Sequence, residues 1–375
     1  MRVTANIDAG NIEVIDIANK DDIRLAIRRD AGDEFLQWFN FRFEGVVGNQ
    51  YTLKIVNAGK SSYPKGWQEY HAVASYDRQH WFRLPTRYEQ GELIIDLALD
   101  ADAIQIAYFA PYSYERHLDL LSAVQVHPEV TLEHLGLTLD GRDMTLVKVG
   151  DGAEHKKNIW ITARQHPGET MAEWLVEGLL YRLLDSDDPV SKQLLDKANF
   201  YIVPNMNPDG SVRGHLRTNA VGTNLNREWQ TPSLEKSPEV YYVVNKMKAT
   251  GVDLFYDVHG DEGLPYVFLA SCEGVPSWDA RMQQLQDEFA RALLLVSPDF
   301  QTEFGYGKDE AGKANLTIAS NWVAETFKCL SNTLEMPFKD NQNLADPMEG
   351  WSPARCIHFG EASLTAMLAV VDKLR

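Results

Sequence analysis

The chain has 375 residues, 44% of them hydrophobic, and its 54 acidic against 36 basic residues give a net charge of −18. A field of that sign opposes binding to nucleic-acid backbones and anionic membranes, and offers an acidic substrate no long-range attraction. The length is too great for one ordinary core and predicts two domains.

Residues 1–113 read as β structure. Asn11–Ile17, Trp38–Phe43, Tyr51–Val56, His71–Ser75, Leu93–Leu99 and Ala103–Phe109 alternate or run apolar, and turn residues such as Gly48-Asn49 and Asn57-Ala58-Gly59 separate them. Short strands at this spacing predict a β-sandwich. No helical pattern precedes Tyr114. The run 111–116 reads as a hinge, and the pattern then changes to alternating β and α. Asn158–Ala163, Ala198–Val203, Leu254–Val258 and Cys329–Glu335 are predicted strands. Thr170–Leu184, Pro238–Lys248, Ser277–Leu294 and Ala362–Lys373 are predicted helices. This order predicts an α/β domain over 114–375, with a mixed, largely parallel sheet covered by helices. Met1–Asn6 shows no basic segment leading into an apolar run, and the runs Leu118–Val124 and Leu293–Val296 are short. Neither a secretory signal nor a membrane span is expected. Cys272, Cys329 and Cys356 are odd in number and widely spaced, which suits core positions in a reducing compartment such as the cytoplasm.

Catalytic zinc sites commonly use three protein ligands and leave a fourth position for water. His166-Pro167-Gly168-Glu169 follows the apolar run Ile159–Ala163, where functional groups of an open α/β sheet gather at strand ends. His166 offers an imidazole nitrogen and Glu169 a carboxylate oxygen. His259, in Asp257-Val258-His259-Gly260, ends a second apolar run and offers a third ligand. HxxE alone is common by chance, and Pro167 and Glu169 also suit a helix start. Between these motifs lie Asn207-Pro208-Asp209-Gly210, Arg217 and Asn224-Leu225-Asn226-Arg227-Glu228-Trp229. Such a stretch also reads as a turn-rich surface loop. Asn226-Arg227 nonetheless has the chemistry to grip a free carboxylate, and Arg217 that to stabilise an oxyanion.

In this order and with these gaps, the motifs resemble the zinc metallocarboxypeptidases, and among them the cytosolic carboxypeptidases. The resemblance extends upstream through Trp38–Phe43 and Phe109–Leu121 and covers nearly the whole chain. It implies a carboxypeptidase-like catalytic domain holding one zinc ion on His166, Glu169 and His259. Arg217 would then polarise the scissile carbonyl, and Asn226 and Arg227 would bind the terminal carboxylate of a peptide or protein substrate. Glu335 would be the general base that takes a proton from the attacking water. Two places depart from the family pattern. Asn224 stands where an aspartate usually meets a zinc histidine, so that ligand should be less basic. Tyr306 does not align convincingly with the mobile tyrosine of the digestive enzymes.

Within the subfamily, glutamate-removing members carry a basic residue in the specificity pocket. Lys313 falls near that place and would favour Glu or Asp; a solvated lysine on a charged loop is the competing reading. Two rival functions remain at this level. One is a zinc deacylase of the aspartoacylase type acting on N-acyl amino acids, the other a non-catalytic peptide-binding module.

Overall fold

Period-two burial organises the N-terminal part. The computed structural model describes all of residues 1–375 and places ten strands before residue 110. They are β1 (Arg2–Thr4), β2 (Glu13–Asp16), β3 (Ile23–Ala26), β4 (Asn40–Glu44), β5 (Gln50–Ile55), β6 (Val73–Ser75), β7 (Phe82–Arg83), β8 (Thr86–Glu89), β9 (Glu92–Ala98) and β10 (Ala103–Ala107). Two five-stranded sheets result, ordered β1-β4-β10-β6-β7 and β2-β3-β5-β9-β8. Along β4, Phe41 and Phe43 are buried and Arg42 is exposed; along β5, Tyr51, Leu53 and Ile55 are buried. Side chains from both sheets join one apolar cluster with Trp38, Phe39, Trp67 and Tyr108. That is the shared core a sandwich requires. Strands β1, β3, β7 and β8 were not expected. With two to four residues each, they are too short for alternation to register.

The change of pattern at the hinge has a local cause. The Ser113 side chain accepts the Arg116 N–H at 3.1 Å and so caps α1 (Tyr114–Val124). Seven strands follow: β11 (Val130–Leu137), β12 (Asp143–Val149), β13 (Lys157–Ala163), β14 (Ala198–Val203), β15 (Leu254–Asp261), β16 (Phe268–Ser271) and β17 (Leu330–Pro337). They make one sheet in the order β11-β12-β14-β13-β15-β17-β16. The four central strands are parallel, and β11, β12 and β16 pair antiparallel outside them. The sheet is mixed, as expected, but parallel only at its centre. The unexpected hairpin β11–β12 turns through a short loop, which permits only antiparallel pairing, whereas the central strands are joined by crossovers containing helices.

The remaining helices are α2 (Met171–Leu183), α3 (Pro189–Lys197), α4 (Pro208–Arg213), α5 (Pro238–Thr250), α6 (Ala280–Val296), α7 (Ala319–Phe327) and α8 (Pro353–Val370). Helix α8 begins nine residues before its expected start, with Ser352 at the cap position and Pro353 as its first residue. The segment Pro353–Lys373 is long and apolar enough to cross a membrane by length and composition, although Arg355 and Glu361 interrupt its apolar run. Its inner side chains, among them Phe359, Leu364, Met367 and Val370, lie in the protein core instead. There α8 packs on α2 with glycine at the contact. A Cβ on Gly360 would fall 2.0 Å from the Leu175 carbonyl oxygen, and one on Gly178 would fall 2.3 Å from that of Ile357. Cys272, Cys329 and Cys356 are free and buried.

Candidate metal centre and active site

Strand β13 delivers the first motif through a tight corner. Arg164 adopts φ +58°, and the chain turns into His166-Pro167-Gly168-Glu169 ahead of α2. The buried Arg164 guanidinium fixes this corner by donating to the carbonyls of Pro167 at 2.9 Å and Tyr112 at 2.8 Å, and by pairing with Glu173. Strand β15 delivers His259, and its parallel pairing with β17 sets Glu335 beside it in register. The ligand atoms of His166, Glu169 and His259 lie within 4.8 Å of one another, and all three residues are buried.

Each imidazole turns Nδ1 toward Glu169, at 2.7 Å for His166 and 2.8 Å for His259. The outward Nε2 of His259 meets Asp257 Oδ2 at 2.9 Å, and that of His166 meets Asn224 Oδ1 at 3.1 Å. Asp257 is itself held by the Thr162 hydroxyl at 2.7 Å and the Gln165 amide at 2.6 Å. Two nitrogens and a carboxylate thus converge inward, while outer partners orient both rings. That donor set fits a divalent cation of the zinc type.

The electrostatics of the cluster are uneven. Burial, with Arg217 nearby, pushes His166 down to about 4 against the pull of Glu169. His259 is equally buried, yet Asp257 and Glu169 hold it well above the usual imidazole range. Burial raises the carboxyl of Glu335 well above the carboxylate range; His259 opposes this, and Glu169, Asp261 and Glu262 add to it. Glu335 Oε2 is buried without a hydrogen-bond partner.

A cleft of about 800 Å³ contains His166, Glu169, His259, Arg217, Asn226, Arg227 and Glu335 in its lining. Seven of the eight expected site residues therefore meet in one place. Lys313 does not join them: it is exposed and lies outside the lining. Its segment turns on itself through the Lys313 N–H to Glu310 carbonyl bond at 2.9 Å. Asn207 and Asp209, quoted among the motifs, are structural. Asn207 caps α4, and Asp209 accepts from Thr138 and Arg142 at 2.8 Å each.

Several lining residues were not foreseen. Tyr63 and Lys65 reach the cleft from the sandwich, and Asp261 and Glu262 from the end of β15 and beyond. Burial, with Glu169 close by, pushes Glu262 up to about 8. Asp257 did carry a signal, since residues two apart on a strand share a face and His259 was already singled out. Tyr306 also lines the cleft, with its hydroxyl donating to Asp261 Oδ2 at 2.6 Å.

Residues 117–354 match the zinc carboxypeptidase family model, and residues 3–109 match that of the cytosolic carboxypeptidase N-terminal domain. A crystal structure from Shewanella denitrificans, provisionally named carboxypeptidase A, is 76% identical, with a TM-score of 0.99 and 100% of both chains covered. A metallo-carboxypeptidase from Pseudomonas aeruginosa, in complex with (2-guanidinoethylmercapto)succinic acid, is 44% identical, with a TM-score of 0.97 and again 100% of each chain covered. Human cytosolic carboxypeptidase 6 is 30% identical over 88% of this chain and 70% of its own. The chain therefore belongs to the zinc carboxypeptidases, a family of metallocarboxypeptidases, and carries the N-terminal domain of their cytosolic branch.

Proposed function

We propose that this chain removes residues from the C-terminus of a peptide or protein, with one zinc ion held by His166, Glu169 and His259. Bound there, zinc would supply a Lewis acid that activates water and polarises the scissile carbonyl. The other steps belong to side chains. Arg227 offers paired N–H donors to the terminal carboxylate. Asn226 Oδ1 already accepts the Ala319 N–H at 2.8 Å, so its amide nitrogen, 3.5 Å from His259 Nε2, is the donor it has to offer. Glu335, which a cation held beside it would favour in its ionised form against the burial that raises it, takes a proton from the attacking water and returns it to the leaving amine. Arg217 donates to the oxyanion as it develops. The observation that carries this reading is that three metal-ligating groups, an unpartnered buried carboxyl and two arginines line one cleft, although they are far apart in the chain. The same reading divides the chain at residue 113, supported by the Ser113 cap, and places it in the cytoplasm, supported by three unpaired buried cysteines.

Side-chain preference follows the cleft. The expected choice of Glu or Asp rested on Lys313, which faces solvent. Ile318, Ser320, Ala270, Ser271 and Thr333 line part of the cleft, with the exposed Asp309 also contributing. A neutral or cationic side chain suits that wall better than an acidic one. The guanidinium arm on the ligand of the Pseudomonas relative is in keeping with this.

The test combines metal analysis with release of C-terminal residues from a peptide panel. Stoichiometric zinc and peptide hydrolysis are expected, with Lys or Arg released ahead of Glu. Faster release of Glu would restore the role of Lys313, and turnover of N-acyl amino acids in place of peptides would favour the deacylase. Glu335→Gln should lower kcat by about 10²–10⁴-fold while zinc content stays unchanged. Undiminished hydrolysis in that variant would refute the mechanism and leave Glu335 a structural carboxyl.

A further inference from the structure

An oxyanion donor works by being fixed before the charge appears. Arg217 is fixed from outside the catalytic domain. Its guanidinium faces the cleft, where neighbouring charges act on it at a distance. The rings of Phe35 and Tyr63, both from the N-terminal domain, pack against it with centroids 5.6 and 5.7 Å from the guanidinium carbon. The backbone beneath it is held from the same side. The buried carboxylate of Asp30 accepts the N–H groups of Leu216 at 2.7 Å, Arg217 at 2.8 Å and Thr218 at 2.9 Å, and the Thr218 hydroxyl at 3.1 Å. Beside it the Ala31 N–H donates to His215 Nε2 at 3.0 Å. The two loops touch backbone to backbone: a Cβ on Gly32 would meet the Val221 oxygen at 2.8 Å, and one on Gly222 the Gly32 oxygen at 2.5 Å.

We propose that Asp30, Phe35 and Tyr63 are positioning residues, through which the N-terminal domain sets the place and direction of the Arg217 guanidinium. Four donors on one short loop end on a single buried carboxylate, so the loop cannot shift without leaving that charge unsatisfied. The aromatic pair restricts the side chain itself. On this account the N-terminal domain is part of the reaction machinery. The inference rests on the oxyanion role proposed for Arg217.

The test measures kcat and KM on one good peptide for Tyr63→Leu, Tyr63→Phe, Asp30→Asn, Arg217→Ala and the Tyr63→Leu/Arg217→Ala double variant. Tyr63→Leu should lower kcat about tenfold or more with KM within about twofold, because displacement of a positioned group acts on the transition state. Tyr63→Phe, which keeps the ring face, should recover most of that loss. With Arg217 already removed, Tyr63→Leu should cost nothing further, a coupling that a merely structural role would not produce. Equal losses in both backgrounds, or an unchanged kcat, would overturn the clamp. Asp30→Asn should behave like Tyr63→Leu; should it fail to fold, the Tyr63 variants decide alone. If the wild-type enzyme is active and Arg217→Ala leaves kcat intact, the role of Arg217 falls and the clamp with it. Wild-type protein that releases no C-terminal residue overturns the functional reading itself.

Discussion

Asn224 and Asp257 do the same job for the two histidines with different charge. Both accept from an outward Nε2, Asn224 at 3.1 Å and Asp257 at 2.9 Å, but only Asp257 brings a negative charge. A charged partner makes an imidazole a stronger ligand, and outer partners of this kind are worth about 10–100-fold in metal affinity. Asn224→Asp is therefore expected to tighten zinc binding by about tenfold, measured by competition with a chelator of known affinity. An unchanged Kd would mean that the hydrogen bond matters there and the charge does not. At this scale the chain was largely readable, because each residue of the His166, Glu169 and His259 cluster sits in a motif with its neighbours fixed by backbone spacing. Lys313 was not readable. It belongs to a stretch between α6 and α7 that lacks helix or strand, where sequence distance says little about where a side chain points.

Among the elements, strands carry the site and the contact of α2 with α8 supports it from behind. Register explains the first part. In the parallel ladder Ile159 pairs with Leu254 and His259 with Glu335, so the strand ends that bear His166, His259 and Glu335 come out side by side. The second part depends on two glycines whose missing side chains let the helices meet. Gly360→Val is expected to destabilise the protein by about 1–3 kcal/mol or more, since the inserted atoms collide with main chain, which has no rotamer to escape into. Thermal unfolding would show it, and a melting temperature equal to the wild type would mean that the helices can separate freely. Periodicity located α2 almost to the residue. It misplaced the start of α8, whose first turns mix Arg355 and His358 with apolar residues and so blur the pattern.

For the molecule as a whole, the two domains are joined by polar groups that reach across and by a continuous apolar core. Arg83 on β7 donates to the carbonyls of Phe338, Glu349 and Trp351, and Tyr108 stacks on Phe338 with centroids 4.4 Å apart. Stability of this unit should depend on pH through buried acids. Glu239, at the start of α5, is pushed up from the usual 4.5 to about 8 by burial. Between those values the folded chain keeps a proton that the unfolded chain has released, so the contribution of Glu239 to stability falls as pH rises through that window. Glu239→Gln removes this titration. Its melting temperature relative to wild type is expected to be more favourable at about pH 8 than at about pH 5. An offset that is the same at both values would show that the carboxyl titrates normally in the fold.

The order of residue types along the chain determined the two-part fold and which histidines, carboxylates and arginines gather at the cleft, because strand ends and short motifs place those groups by local geometry. Folding decided what touches what across the domain boundary. Asp30 lies 187 positions from the arginine whose loop it holds, and no periodicity spans such a gap. Only packing of one domain on the other could bring that carboxylate, and the rings of Phe35 and Tyr63, to the edge of the cleft.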